Sequence, residues 1–275
     1  MGKYLAAAVQ MDSQADRAAN LEQAEHYLKE AAGQGAKLIV FPECMDYCGG
    51  NYADHATEIL GSQAFDLFSS YAKQYGIWTH CGSIHEKRPN GLPYNTSFVA
   101  APDGSLAATY RKIHLFDMDF TDGPSIRESS RVSPGRELTV LDAGEQGRLG
   151  LTICYDIRFG ELYRLLALRG ANVICMPACF SGITGKSHLE CLLRTRAIEN
   201  GCYLIAPDQC GRKKNMDSFG HTMIVDPWGE ILGCREDGPG LVLAEIDTDY
   251  ADQVRARTGT LHNRRDDLYS LTWNE

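Results

Sequence analysis

Three side chains with complementary chemistry each stand where an apolar run of this chain gives out. Cys154 closes Arg148-Leu-Gly-Leu-Thr-Ile-Cys154, and Tyr-Asp-Ile-Arg-Phe-Gly-Glu-Leu follows as the start of an amphipathic segment. A thiol held between a strand and the first free N–H groups of a helix is placed to ionise and attack. Glu43 follows Lys37-Leu-Ile-Val-Phe-Pro, and Lys112 sits within Ala107-Ala-Thr-Tyr-Arg-Lys-Ile-His-Leu-Phe-Asp117. Carboxylate, ammonium and thiol supply a base, a cation for a developing oxyanion and a nucleophile, which is what acyl transfer requires. Singly each has a blander reading, because buried thiols, strand-end glutamates and basic turns are all common. Jointly they fall at strand termini, where α/β enzymes gather their sites.

The elements that must position them follow from hydrophobic periodicity and turn chemistry. Strands are expected at Lys3–Met11, Lys37–Phe41, Ile77–Ile84, Leu138–Leu141, Arg148–Ile153, Asn172–Met176, Tyr203–Ala206, Thr222–Val225 and Leu241–Ile246. Tyr94–Ala101 and Leu106–Tyr110, joined by Pro102-Asp103-Gly104, read as a hairpin. Helical spacing predicts Asn20–Gly33, Phe65–Gly76, a helix directly after Cys154, Ser187–Asn200 and a helix starting near Thr248. Asp117–Pro134 reads as a long irregular stretch. Helices alternating with strands, with hairpins between, indicate α/β layers in one domain over residues 1–275.

With 275 residues, 44% hydrophobic and 23% charged, the chain can bury a substantial core. A net charge of −9 argues against nucleic acid or an anionic membrane as main partner. No apolar run approaches the ~20 residues of a membrane helix, and Met1–Met11 reads as a first core strand, not a signal peptide. Ten cysteines, several inside strand-like runs, indicate free buried thiols and a reducing cytoplasmic setting. The pairs Cys44/Cys48 and Cys175/Cys179 lack zinc-site spacing, so no metal is expected.

The motifs Phe41-Pro-Glu43, Tyr110-Arg-Lys-Ile-His-Leu-Phe-Asp117 and Ile153-Cys-Tyr-Asp-Ile-Arg-Phe-Gly-Glu-Leu162 together resemble the nitrilase, or carbon–nitrogen hydrolase, superfamily. The resemblance extends to Asp226-Pro-Trp-Gly229 and Arg264-Arg-Asp-Asp-Leu-Tyr269. It implies a four-layer α-β-β-α sandwich, a homodimer or higher homo-oligomer, a small-molecule amide substrate and no cofactor. It implies a triad of Glu43, Lys112 and Cys154, with the Tyr155 N–H as a further oxyanion donor. Glu128, in Arg127-Glu-Ser-Ser-Arg-Val-Ser-Pro-Gly135, matches a second family glutamate and is expected to orient Lys112.

Ile183-Thr-Gly185, Arg194-Thr-Arg-Ala-Ile-Glu199 and Gln209-Cys-Gly211 look like the branch of amidases acting on deaminated glutathione, with omega-amidases next. Hydrolysis of a carbamoyl group or nitrile by the same triad is the alternative, disfavoured by Tyr155-Asp156 after the cysteine. Phe180 and Thr184 are expected to wall the substrate pocket. Lys186, Leu189 and Asp46-Tyr-Cys-Gly-Gly-Asn51 depart from the branch's pattern and are expected to line or flank it. Arg158 is expected to pair with a structural acid, and His188 to be a packing histidine.

Overall fold

The computed structural model describes residues 2–119, 125–214 and 216–274. Among these, most strands join two sheets of matching design. The first runs Gly240–Asp247, Lys3–Gln10, Leu38–Val40, Trp78–His80, Tyr94–Ala100, Ile84–Glu86, with Leu106–Arg111 also on Tyr94–Ala100. The second runs Ile231–Arg235, Thr222–Val225, Tyr203–Ala206, Val173–Cys175, Arg148–Leu151, Val140–Asp142. Each has three parallel strands at its centre and antiparallel strands outside them. Parallel strands with both faces covered favour near-continuous apolar runs, as in Leu38-Ile-Val and Val173-Ile-Cys.

Alternation along Lys3–Gln10 shows how the layers stack. Ala6 and Ala8 point into a core shared with Leu149, Leu151, Val173 and Ile205 of the second sheet. Ala7 and Val9 point the other way, against Leu28, Phe65 and Phe68. Those last three belong to helices Arg17–Gly33 and Gln63–Tyr75. Helices Gly160–Leu168 and Gly182–Asn200 contribute Leu162, Leu166, Leu189 and Leu193 to the core of the second sheet. The fold is the expected α-β-β-α sandwich.

The departures have local causes. Ile77–Ile84 is not one strand, because it breaks at Gly82, whose φ of +76° no L side chain adopts readily. A Cβ there would lie 1.9 Å from the Pro42 carbonyl oxygen. The close approach holds the Phe41-Pro42 turn that delivers Glu43. The helix predicted from Ser187 begins at Gly182, capped by the Ser181 hydroxyl on the Ile183 N–H. Strand Ile231–Arg235 escaped the sequence reading because its outer residues are exposed and it interrupts alternation with Gly233. The helix expected directly after Cys154 is a 3-10 turn, Cys154–Arg158, and the α-helix starts only at Gly160. Part of Asp117–Pro134, residues 120–124, lies outside the described residues; Asp117–Met118 pairs with Ile126–Arg127, and a 3-10 turn follows at Glu128–Ser130.

Candidate active site

The parallel strands of both sheets end on the same side of the sandwich, and the chemistry-bearing residues follow those ends. Glu43 comes after Leu38–Val40, Cys154 after Arg148–Leu151, and Cys179 after Val173–Cys175. The Glu43 N–H donates to Ala178 O at 3.3 Å and the Cys154 N–H to Pro177 O at 2.8 Å, so the loop after Val173–Cys175 ties base and nucleophile loops together. Cys154 itself has φ +49° and Cys44, just after Glu43, has φ +55°. Left-handed backbone at non-glycine residues costs of order 1–3 kcal/mol and collects at functional sites.

Glu43, Lys112 and Glu128 meet in a buried cluster. The Lys112 ammonium donates to Glu43 Oε1 at 2.8 Å and to Glu128 Oε2 and Oε1 at 2.9 and 3.1 Å. Lys112 is only 2% exposed and Glu43 4%. Burial disfavours the charged lysine, but Glu128 and Glu43 outweigh it and hold its pKa well above the usual value. Glu43 has its other oxygen on the Cys179 N–H, 2.8 Å away. The Glu43 carboxylate is near enough to the Cys154 thiol to act on its ionisation. Burial first, then the Glu43 charge, push the thiol well above its ordinary pKa, with Lys112 pulling the other way.

The expected helix N-terminus under Cys154 is therefore a 3-10 turn, and the thiol's surroundings oppose its ionisation instead of promoting it. Burial and the Glu43 charge favour the protonated thiol, and the 3-10 turn at Cys154–Arg158 is one short winding. Tyr155, second in that turn, has no intrahelical acceptor for its N–H, which leaves that N–H available beside the nucleophile.

Two side chains that the sequence reading did not single out complete the arrangement. Asn95 Nδ2 donates to Glu43 Oε1 at 2.8 Å and to Glu128 Oε1 at 3.3 Å, while Asn95 O accepts from the Lys112 N–H at 2.9 Å. The available signal was an asparagine opening a strand, where that residue is disfavoured. Asp156, fully buried, accepts from the Tyr110 hydroxyl at 2.7 Å, the His114 N–H at 3.0 Å and the Ile153 N–H at 2.8 Å. It therefore locks the nucleophile turn to the segment on both sides of Lys112. Asp156→Asn should lower kcat by ~100-fold, since small misplacements of reacting groups cost that much. It should also destabilise the fold by ~2 kcal/mol through weakened charged hydrogen bonds. Steady-state kinetics beside denaturant melts would check this, and a fully active variant would refute the linking role.

Cys154 stands at the junction of two chambers. The larger holds about 730 Å³ including its open mouth and is lined by Glu43, Lys112, Glu128, Tyr52, His85 and Arg131 among others. The smaller, about 220 Å³, is lined by Phe116, Tyr155, Arg158, Phe180, Ser181 and Thr184. Phe180 and Thr184 line the smaller chamber, and Cys48 and Gly50 of the divergent Asp46–Asn51 segment line the larger. Lys186 and Leu189 do not line either chamber: Lys186 is exposed and Leu189 is packed in the core. Arg158 finds no acidic partner among the described residues, contrary to expectation. Its guanidinium lies 3.3 Å from His188 Nδ1 and packs 5.6 Å from the ring centres of Tyr155 and Phe180.

All ten cysteines are free. Among the described residues no helix is long and apolar enough to cross a membrane.

Comparison with known proteins agrees with this architecture. Deaminated glutathione amidase from Homo sapiens is 38% identical over 96% of this chain and 83% of its own length. Omega-amidase NIT2 from Danio rerio is 38% identical over 98% of both. The crystal structure of the C. elegans NitFhit protein superposes with a TM-score of 0.92 at 35% identity, covering 100% of this chain and 68% of that one. Residues 5–256 match the carbon-nitrogen hydrolase family. The chain belongs to that family of hydrolases, which act on non-peptide carbon–nitrogen bonds.

Proposed function

We propose that the protein is a thiol-dependent amidase acting on a small amide whose acyl half carries a carboxylate. The observation that carries this reading is the buried cluster in which one ammonium joins two carboxylates beside the Cys154 thiol. Glu43 takes the thiol proton as sulfur bonds to the carbonyl carbon. The oxyanion receives hydrogen bonds from Lys112 and the Tyr155 N–H; losing such a donor typically costs ~2.7–4 kcal/mol of transition-state stabilisation. As the C–N bond breaks, Glu43 returns the proton to the leaving nitrogen. Water then adds to the thioester, its proton passing through Glu43 to the Cys154 sulfur as the acid departs. Glu128 keeps the Lys112 ammonium aimed and charged throughout.

The anionic acyl end is supported by Arg158, an acid-free guanidinium in the smaller chamber with Phe180 and Thr184. The relatives named as a deaminated glutathione amidase and an omega-amidase point to the same class. Release of amine or ammonia from deaminated glutathione and 2-oxoglutaramate should exceed that from N-carbamoyl amino acids and simple nitriles, with Cys154→Ala as the blank. Turnover of nitriles alone would sink the proposal.

A further inference from the structure

We infer that Arg131 and Lys214 form a carboxylate-binding subsite on the amine side of the scissile bond, so that the enzyme selects amides by the charge on their leaving half. The inference rests on the amidase reading above and extends it to the other half of the substrate.

The general acid fixes which chamber takes which half. Glu43 must reach the departing nitrogen, and Glu43 lines the larger chamber but not the smaller. The amine half therefore lies in the larger chamber and the acyl half in the smaller. Ammonia is about the size of water, which takes ~30 Å³ in the liquid. The larger chamber extends past Glu43 to Tyr52, Arg131 and Lys214, more lining than a bound ammonia would touch. An N-substituted amide uses that space.

Charge then says what the substituent carries. Lys112, Arg131, Lys213 and Lys214 line the larger chamber against only Glu43 and Glu128, in a protein whose net charge is −9. Lys112 is matched by the two glutamates. Lys213 is buried and engaged by Asp12 at 2.7 Å, with Ser13 O and Gln209 Oε1 beside it. Arg131 and Lys214 have no acidic partner among the described residues. Arg131 leaves the turn that carries Glu128 and lies 5.5 Å from the centre of the Tyr52 ring. Tyr52 in turn stacks on His85 at 3.7 Å. Burial and the charges of Lys112, Arg131 and Arg17 depress the His85 pKa to about 3, so this wall is uncharged. The stacked Tyr52–His85 pair thus gives the chamber a neutral aromatic wall that Arg131 packs against. It suits a short linker ending in an anion. Arg131 offers the fork that pairs with a carboxylate in two hydrogen bonds, and Lys214 adds a point charge at the exposed mouth.

Glutaryl-glycine and glutaryl-glycinamide share an acyl half and differ only in the charge at the end of the amine half. Wild type should cleave the carboxylate form with a kcat/KM ~10-fold higher at low salt, and the preference should shrink as ionic strength rises. In Arg131→Gln/Lys214→Gln the ratio should collapse toward unity. Equal rates in wild type, or an undiminished ratio in the double variant, would overturn the subsite. Cys154→Ala provides an arm that needs no turnover: calorimetry should show it binding glutaryl-glycine ~10-fold more tightly than the amide. Preferential binding there without Cys154-dependent cleavage in wild type would uphold the subsite and defeat the amidase reading. Cleavage without preference would do the reverse.

Discussion

A Glu43→Gln enzyme is expected to fold, to keep Lys112 charged through Glu128, and to lose at least ~10³-fold in kcat, because a single positioned proton transfer is worth 10²–10⁴-fold. Glu43 is asked for two such transfers, one in acylation and one in hydrolysis of the thioester. The glutamine carbonyl can still accept from Lys112 and Asn95, so that part of the cluster survives, while the amide NH2 replaces the oxygen that accepted from the Cys179 N–H and the base is gone. The same substitution should make the thiol easier to ionise. Glu43 raises the Cys154 pKa through its charge, and Lys112 lowers it. Removing the first influence and keeping the second moves the pKa down. The midpoint of the iodoacetamide alkylation–pH profile should therefore shift to lower pH in a variant that has nearly lost turnover. A structural defect alone would not produce that pairing. An unmoved midpoint, or turnover within about tenfold of wild type, would remove Glu43 as the base.

How much of this was readable beforehand differs between fold and site. Two of the central parallel strands announced themselves because, buried on both faces, they are unbroken apolar runs. These are Leu38-Ile-Val and Val173-Ile-Cys. Glu43 and Cys154 stood out as candidates because a reactive side chain just past a buried strand has no packing reason to be there. The charge state of Cys154 could not be read, because it depends on burial and on Glu43, which is 111 positions away in the chain (154 − 43). Asp156 was quoted as part of a motif without a role, since its partners Tyr110 and His114 lie more than 40 positions away, in a strand of the first sheet and the loop after it. Arg158 shows the opposite error. Local habit suggested an acid partner, and the surrounding rings and His188 supplied none.

Lys112→Met should be the most damaging single change to stability. In the wild type one ammonium satisfies carboxylates on Glu43 and Glu128 that are otherwise shut away from water. Breaking a buried ion pair by deleting one partner costs ~3–5 kcal/mol, because an uncompensated charge stays behind. Here two carboxylates of like charge stay behind, and methionine fills the volume without donating a hydrogen bond. The cheapest relief is a proton shared between them, so the folded variant binds a proton that the unfolded chain releases. A carboxyl pKa raised by folding gives stability that is complete below the unfolded value and lost as pH rises through the folded one. The deficit relative to wild type should accordingly be smallest near pH 5 and grow toward pH 8. Turnover should fall by ~10²–10³-fold for loss of an oxyanion donor. Adding Glu128→Gln to Lys112→Met removes one of the stranded charges and should return part of the lost stability without returning activity. Chemical denaturation of wild type, both singles and the double across that pH range checks each step. If the double variant is no more stable than Lys112→Met, Glu128 does not share the lysine's charge, and its assignment as the group that aims Lys112 falls with it.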